Sequence, residues 1–158
     1  MTAAPDGYQR LLLVVNNSIP GPTLTANEGD TLSVLVINNA NVSSSVHWHG
    51  MRQKGTNYMD GAPGTTQCPI PPGGSFQYTF NLNQAGTYWY HSHLGMQYTD
   101  GLKGALIIYP ANNPYTYDGE SILQISDYYH TPAAQLLQFY LSNSRYLPLN
   151  LPPPSRLP

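Results

Sequence analysis

Gly86-Thr87-Tyr88-Trp89-Tyr90-His91-Ser92-His93 reads as a strand through His91 that ends in a His-X-His pair. In an extended chain, residues i and i+2 point to the same face. His91 and His93 therefore aim their imidazoles in one direction. A second pair, His47-Trp48-His49, closes the stretch Ser43 to His49, whose alternation also reads as a strand. The two pairs hold four of the five histidines in the chain. Imidazole is the commonest metal ligand at neutral pH. With the two strands side by side, four imidazoles would converge into one metal cluster.

Outward from these pairs the chain continues as short strands punctuated by turns. Arg10 to Val15, Thr31 to Asn38, Ser75 to Asn81 and Gly104 to Tyr109 read as strands. Asn16 to Pro22 and Glu28-Gly29-Asp30 read as turns. Gly50 to Gly74 is a long loop, which in a compact domain is usually functional. Regular short strands of this kind indicate a sandwich or barrel. Beyond Ala111 the pattern changes. Ala111 to Gly119 is linker-like, Ser121 to Tyr129 could open a new strand, and Pro132 to Tyr140 is the best helix. Leu136, Leu137 and Tyr140 share one face of that helix. The tail from Asn150 to Pro158 is rich in proline and reads as disordered.

Composition agrees with an all-β chain. Only 9% of the 158 residues are charged, against 14 Gly, 15 Pro and 13 Tyr. That balance favours turns and strands over helices. A net charge of −2 gives no electrostatic footprint for nucleic acid. No stretch is long enough to span a membrane. Met1 to Arg10 does not read as a signal peptide, and Leu11 to Val15 is too short for its apolar segment. Two N-glycosylation sequons, Asn16-Asn17-Ser18 and Asn41-Val42-Ser43, favour export only weakly. Cys68 is the single cysteine, so it is either free and buried or paired with a cysteine outside this chain. No Ser-His-Asp or Cys-His arrangement points to a hydrolase, and Gly73-Gly74 has no phosphate-loop pattern around it.

Zinc and copper both suit imidazole. Carboxylate or cysteine companions would favour zinc, and none sits at useful spacing. Histidines satisfied by hydrogen bonds within a β core are the plain alternative to both.

The sequence around the two pairs narrows the choice. His47-Trp48-His49-Gly50 is followed by Met59-Asp60-Gly61 and by Thr66-Gln67-Cys68-Pro69-Ile70-Pro71-Pro72-Gly73. Gly86 to His93 is followed by Gln97, Asp100-Gly101-Leu102 and Gly104. In these stretches the chain resembles the multicopper oxidases, from about Pro20 to Tyr109 and more weakly to His130. They are similar to the family's first two copper motifs, in the same order.

The resemblance implies a Greek-key β-sandwich of cupredoxin type over residues 1–111. Residues 112–158 would be a linker and the start of a second domain. It implies that His47 binds a type 2 copper, that His49 and His91 bind one type 3 copper, and that His93 binds the other. That is half of the trinuclear set. The other imidazoles would come from C-terminal cupredoxin domains or another chain, and Cys68 would bridge to one of those domains. The family's His-Cys-His motif, which serves the type 1 copper, is not in this sequence. The implied parent reaction is laccase-like, oxidising phenolic donors with reduction of O2 to water, and this chain alone would be inactive. Family members are normally exported, so the chain would be an incomplete gene product or would have lost its signal.

The resemblance gives Asp60 a proton-relay role near the cluster. Asp127, before Tyr128-Tyr129-His130, would be the acid that contacts the phenol. The family has Trp where this chain has Tyr128, and a glutamate in place of the acid would favour a ferroxidase. A ferroxidase-type fragment and a non-catalytic copper-binding module are the alternatives. An ordinary turn aspartate is the plain reading of Asp60, and a surface strand aspartate that of Asp127. Asp100 and His130 are read as structural. Trp48, Trp89 and Ala105 to Tyr109 are expected at the seam where a neighbouring domain packs.

Overall fold

The seven residues Thr31 to Ile37 and the seven residues Ser75 to Asn81 form β4 and β6, paired antiparallel from Thr31↔Asn81 to Ile37↔Ser75 without a break. They make one layer of a sandwich. The other layer is a four-stranded sheet built from β3 (Gly21–Asn27), β8 (Lys103–Tyr109), β7 (Gly86–His91) and β5 (His47–His49), in that order. β3 runs parallel to β8, and the other neighbours are antiparallel. A small ribbon of β1 (Thr2–Ala3) and β2 (Arg10–Leu11) precedes them. Among the described residues one α-helix follows, α1 (Ala133–Leu141). The computed structural model describes residues 1–142, and the expectation for the tail from Asn150 lies outside the described residues. This is the all-β sandwich expected. No helix among the described residues is long and apolar enough to cross a membrane.

The core lies between the layers. Trp48, Tyr78, Phe80, Leu82, Tyr90, Leu106 and Ile108 form it, with Val46 and Ile70. β6 alternates as its sequence does, burying Tyr78 and Phe80 and exposing Gln77 and Thr79. β8 is buried from Gly104 to Ile108 on both faces, as expected of a central strand with a continuous apolar run.

Several boundaries differ from the sequence reading. β3 was not expected, because Asn16 to Pro22 reads as a turn. Pro22 is tolerated since β3 is an edge strand with a register shift between Gly21 and Leu24. Arg10 to Val15 shrinks to Arg10–Leu11, and Ser43 to His49 shrinks to His47–His49, with Ser44 bridging Ile70 instead. Ser121 to Tyr129 forms no strand, because no neighbour among the described residues pairs with it, and Leu123 and Ile125 stay exposed. Tyr140 is exposed, and α1 instead faces inward through Ala133, with Leu136 and Leu137 half-buried.

The expected seam is also corrected. Trp48 and Ala105 to Ile108 are interior residues. On the two layers of the sandwich, the exposed large apolar side chains among the described residues are Leu35 and Ile37 of β4, at 55% and 58% exposure. Among the described residues β4 pairs only with β6, and its sequence, TLSVLVI, carries neither charge nor proline. Natural edge strands are usually blunted by such residues. Ile37→Lys is therefore expected to shift sedimentation profiles toward monomer at high protein concentration. An unchanged profile would place any self-association elsewhere.

Candidate metal centre

Trp48 decides where the first pair points. Its indole is 1% exposed and packs edge-on against Tyr78 and Phe80, with ring centroids at 5.5 and 5.3 Å. With Trp48 turned inward, the pleat turns His47 and His49 to the opposite face. The β5–β7 ladder then sets His47 opposite His91 and His49 opposite Trp89. His91 ends β7 and is buried, while His93 lies two residues on and is exposed.

The four imidazoles gather around His47. Its ring centroid lies 5.7 Å from that of His49, 5.3 Å from His91 and 5.1 Å from His93. One ring nitrogen from each of His47, His49 and His91 falls within a common 4.8 Å. His93 flanks this triplet and stacks at 6.2 Å from His91.

Local hydrogen bonds fix which nitrogen faces inward. His47 Nδ1 lies 2.7 Å from the backbone carbonyl of Asp60, so Nδ1–H donates there and Nε2 is left as a lone-pair donor. His91 Nδ1 lies 2.8 Å from the Ser92 carbonyl, which frees its Nε2 in the same way. An N–H to carbonyl bond of this kind commonly orients a ligating histidine. His49 presents Nδ1 at 3.1 Å from His91 Nε2. Two nitrogens about 2.0 Å from a shared ion, at roughly tetrahedral to right angles, would stand about 3 Å apart. Burial pushes the His91 imidazole down to about 4, against the Ser92 carbonyl and helped by the other three histidines. It is therefore neutral at pH 7, the form that binds metal.

Trp89 is the residue the sequence reading underrated. Its ring stacks on His49 at 4.9 Å and on His91 at 4.1 Å, holding both in place. Its place opposite His49 is the signal, legible only once the register is known.

The two candidate carboxylates fare differently. Asp60 touches the cluster through its carbonyl, and its Oδ1 is 3.4 Å from His47 Nδ1. Asp127 is not brought to the histidines. It makes no hydrogen bond or ion pair among the described residues, and its charge acts on Lys103, the residue opposite His91 in the β7–β8 ladder. Burial lowers the Lys103 ammonium and Asp127 opposes that shift.

Asp100 and His130 are structural, as read. Asp100 pairs with Arg10 at 2.8 Å and caps α1 by accepting the Ala133 N–H. His130 stacks on Tyr8 at 3.9 Å and bonds to Asp6 at 2.7 Å. Cys68 is a free thiol but an exposed one, against the burial expected of an unpaired cysteine.

A donor set of imidazoles without thiolate or carboxylate fits copper well. Residues 1–113 match the family model for multicopper oxidases, and the chain belongs to that family. It carries the laccase-like, N-terminal cupredoxin domain of the family. Laccase-1 of Cryptococcus neoformans (serotype D) is 52% identical over 81% of this chain and 21% of its own length. Laccase-2 of the same species (serotype A) is 44% identical over 96% of this chain and 26% of its own length. The crystal structure of Fet3p, a multicopper oxidase that functions in iron import, superposes with a TM-score of 0.84 at 41% identity. It covers 90% of this chain and 27% of Fet3p. The chain thus spans about a quarter of the length of these relatives.

Proposed function

We propose that this chain supplies half of the imidazole ligands of a trinuclear copper cluster in a laccase-like oxidase. The observation that carries the reading is the apposition of His49 Nδ1 and His91 Nε2 at 3.1 Å on the face shared with His47. His47 serves the type 2 copper through Nε2, His49 and His91 serve one type 3 copper, and His93 serves the other. The remaining ligands come from C-terminal cupredoxin domains or from another chain, to which Cys68 is open for bridging. Copper, when bound, supplies one-electron redox chemistry.

The overall reaction takes four electrons from four phenolic donors and four protons to convert O2 into two waters. In this chain Asp60 holds the His47 tautomer with its carbonyl. Its carboxylate, only 27% exposed and 3.4 Å from the imidazole, can hold and release a proton beside the cluster. Asp127 takes the phenol proton once the domain bearing the donor pocket is in place. The sequence relatives carry the name laccase, which supports the laccase-like reading over the ferroxidase one.

Copper titration of the purified chain, followed by electron paramagnetic resonance and a phenol oxidation assay, tests this reading. His49→Ala and His91→Ala are each expected to weaken copper binding beyond the 10–100-fold typical of losing an outer-shell partner. No blue type 1 band should appear, because that band needs a thiolate beside two imidazoles. Phenol oxidation should stay at background until C-terminal domains are supplied in trans. Turnover by the chain alone that His49→Ala abolishes would show a self-sufficient site. Copper binding that survives both substitutions would remove the cluster assignment.

A further inference from the structure

The two histidine segments are tied together by one side chain that hydrogen-bonds to none of the four imidazoles. Gln97 Oε1 accepts hydrogen bonds from Ser44 Oγ at 2.8 Å and from Ser92 Oγ at 2.6 Å. Its Nε2 donates to the Ser43 carbonyl at 2.8 Å. Ser92 is the residue between His91 and His93, and it is fully buried. Ser44 precedes His47 by three residues and is also buried. The two serine oxygens are 3.5 Å apart, and Ser92 Oγ also takes the Leu94 N–H at 3.2 Å.

This knot is needed because β5 has only three residues paired to β7. So short a ladder holds spacing weakly on its own. An amide is the group that fits. Its oxygen accepts both hydroxyl protons while its nitrogen donates to a carbonyl. A carboxylate of the same shape would meet the Ser43 carbonyl with no proton to give. An apolar residue would take the shared acceptor from two buried hydroxyls and the donor from the half-buried Ser43 carbonyl, a costly outcome for buried polar groups.

We infer that Gln97 is a positioning residue that sets the separation of the two histidine pairs, through Ser44 on one side and Ser92 on the other. For its consequence in copper binding this rests on the cluster assignment above. The geometric part does not.

The test uses the full chain and three variants, Gln97→Leu, Gln97→Glu and Ser44→Ala. Metal-free NMR reads the imidazole C–H resonances, and titration with Cu(II) reads the dissociation constant and the paramagnetic resonance spectrum. Gln97→Leu should move the His49 and His91 resonances, leave His130 in place, and weaken Cu(II) binding about 10–100-fold. Gln97→Glu should move the same resonances, since it keeps the shape and loses the donor. Ser44→Ala removes the bond to Gln97 and the longer contact with Ser92, leaves the other Gln97 bonds in place, and should act in the same direction while the chain stays folded, so it decides the matter if Gln97→Leu does not fold. Unmoved imidazole resonances with a lowered melting temperature would overturn the inference and leave Gln97 a stability residue. If the unsubstituted chain binds no Cu(II), the cluster assignment falls and the NMR comparison still decides the role of Gln97.

Discussion

Trp48→Ala is expected to cost about 3–5 kcal/mol, the range for deleting a buried tryptophan or phenylalanine side chain. Domains of this size are stable by roughly 5–15 kcal/mol, so the variant keeps a marginal fold at best. The indole is 1% exposed and meets three aromatic rings, those of Tyr78, Phe80 and Tyr90. Its Nε1–H has no partner among the described residues, so what is lost is packing. Trp48→Phe should lose less, because it keeps a ring and removes the orphaned donor. Copper affinity should fall with Trp48→Ala, since β5 loses its inward anchor. Urea denaturation checks the claim. A midpoint close to that of the unsubstituted chain would show that the sandwich does not depend on this residue.

Gly61→Ala is expected to be nearly as damaging, for a different reason. Gly61 has φ of +82°, and a Cβ there would stand 1.8 Å from the Val46 carbonyl oxygen and 2.9 Å from the His47 nitrogen. Both are backbone atoms of the segment entering β5, so neither can swing aside. The left-handed conformation costs about 1–2 kcal/mol, and forced overpacking typically adds about 1–3 kcal/mol. The turn must lift off the strand and take the Asp60 carbonyl away from His47 Nδ1. Gly64→Ala is the control. Gly64 has φ of +76° with nothing among the described residues within 4 Å of the added carbon, so only the conformational cost applies. Equal losses of thermal stability at the two positions would refute the steric explanation.

Much of this was legible from the histidine spacing. The period-two pairs put His47, His49, His91 and His93 on two strands, and the strands are neighbours. β6 and β7 match their expected bounds because alternation and flanking turns agree there. β3 was missed because it is held by a parallel neighbour 83 positions downstream at Gly21↔Gly104, a pairing no local pattern reveals. Trp48 was expected at an outer seam because its aromatic neighbours in sequence do not say which face is inside. That follows only from Tyr78 and Phe80 arriving from the other layer. The sequence points to the Asp60 carboxylate, yet the backbone carbonyl of that residue makes the shorter contact with His47. A sequence names the residue and not the atom.

The three-residue pairing of β5 has a consequence for how the protein folds. A slip of one residue would send Trp48 into water and two histidines into the core. Interior packing and ligand presentation are therefore selected in the same event, and no misregistered state can keep one without the other. An ion that binds only the correct register would add RT ln(1 + [ion]/Kd) to the stability of the native chain. Supply of metal during synthesis would then act as a proofreader of strand alignment as well as a loading step.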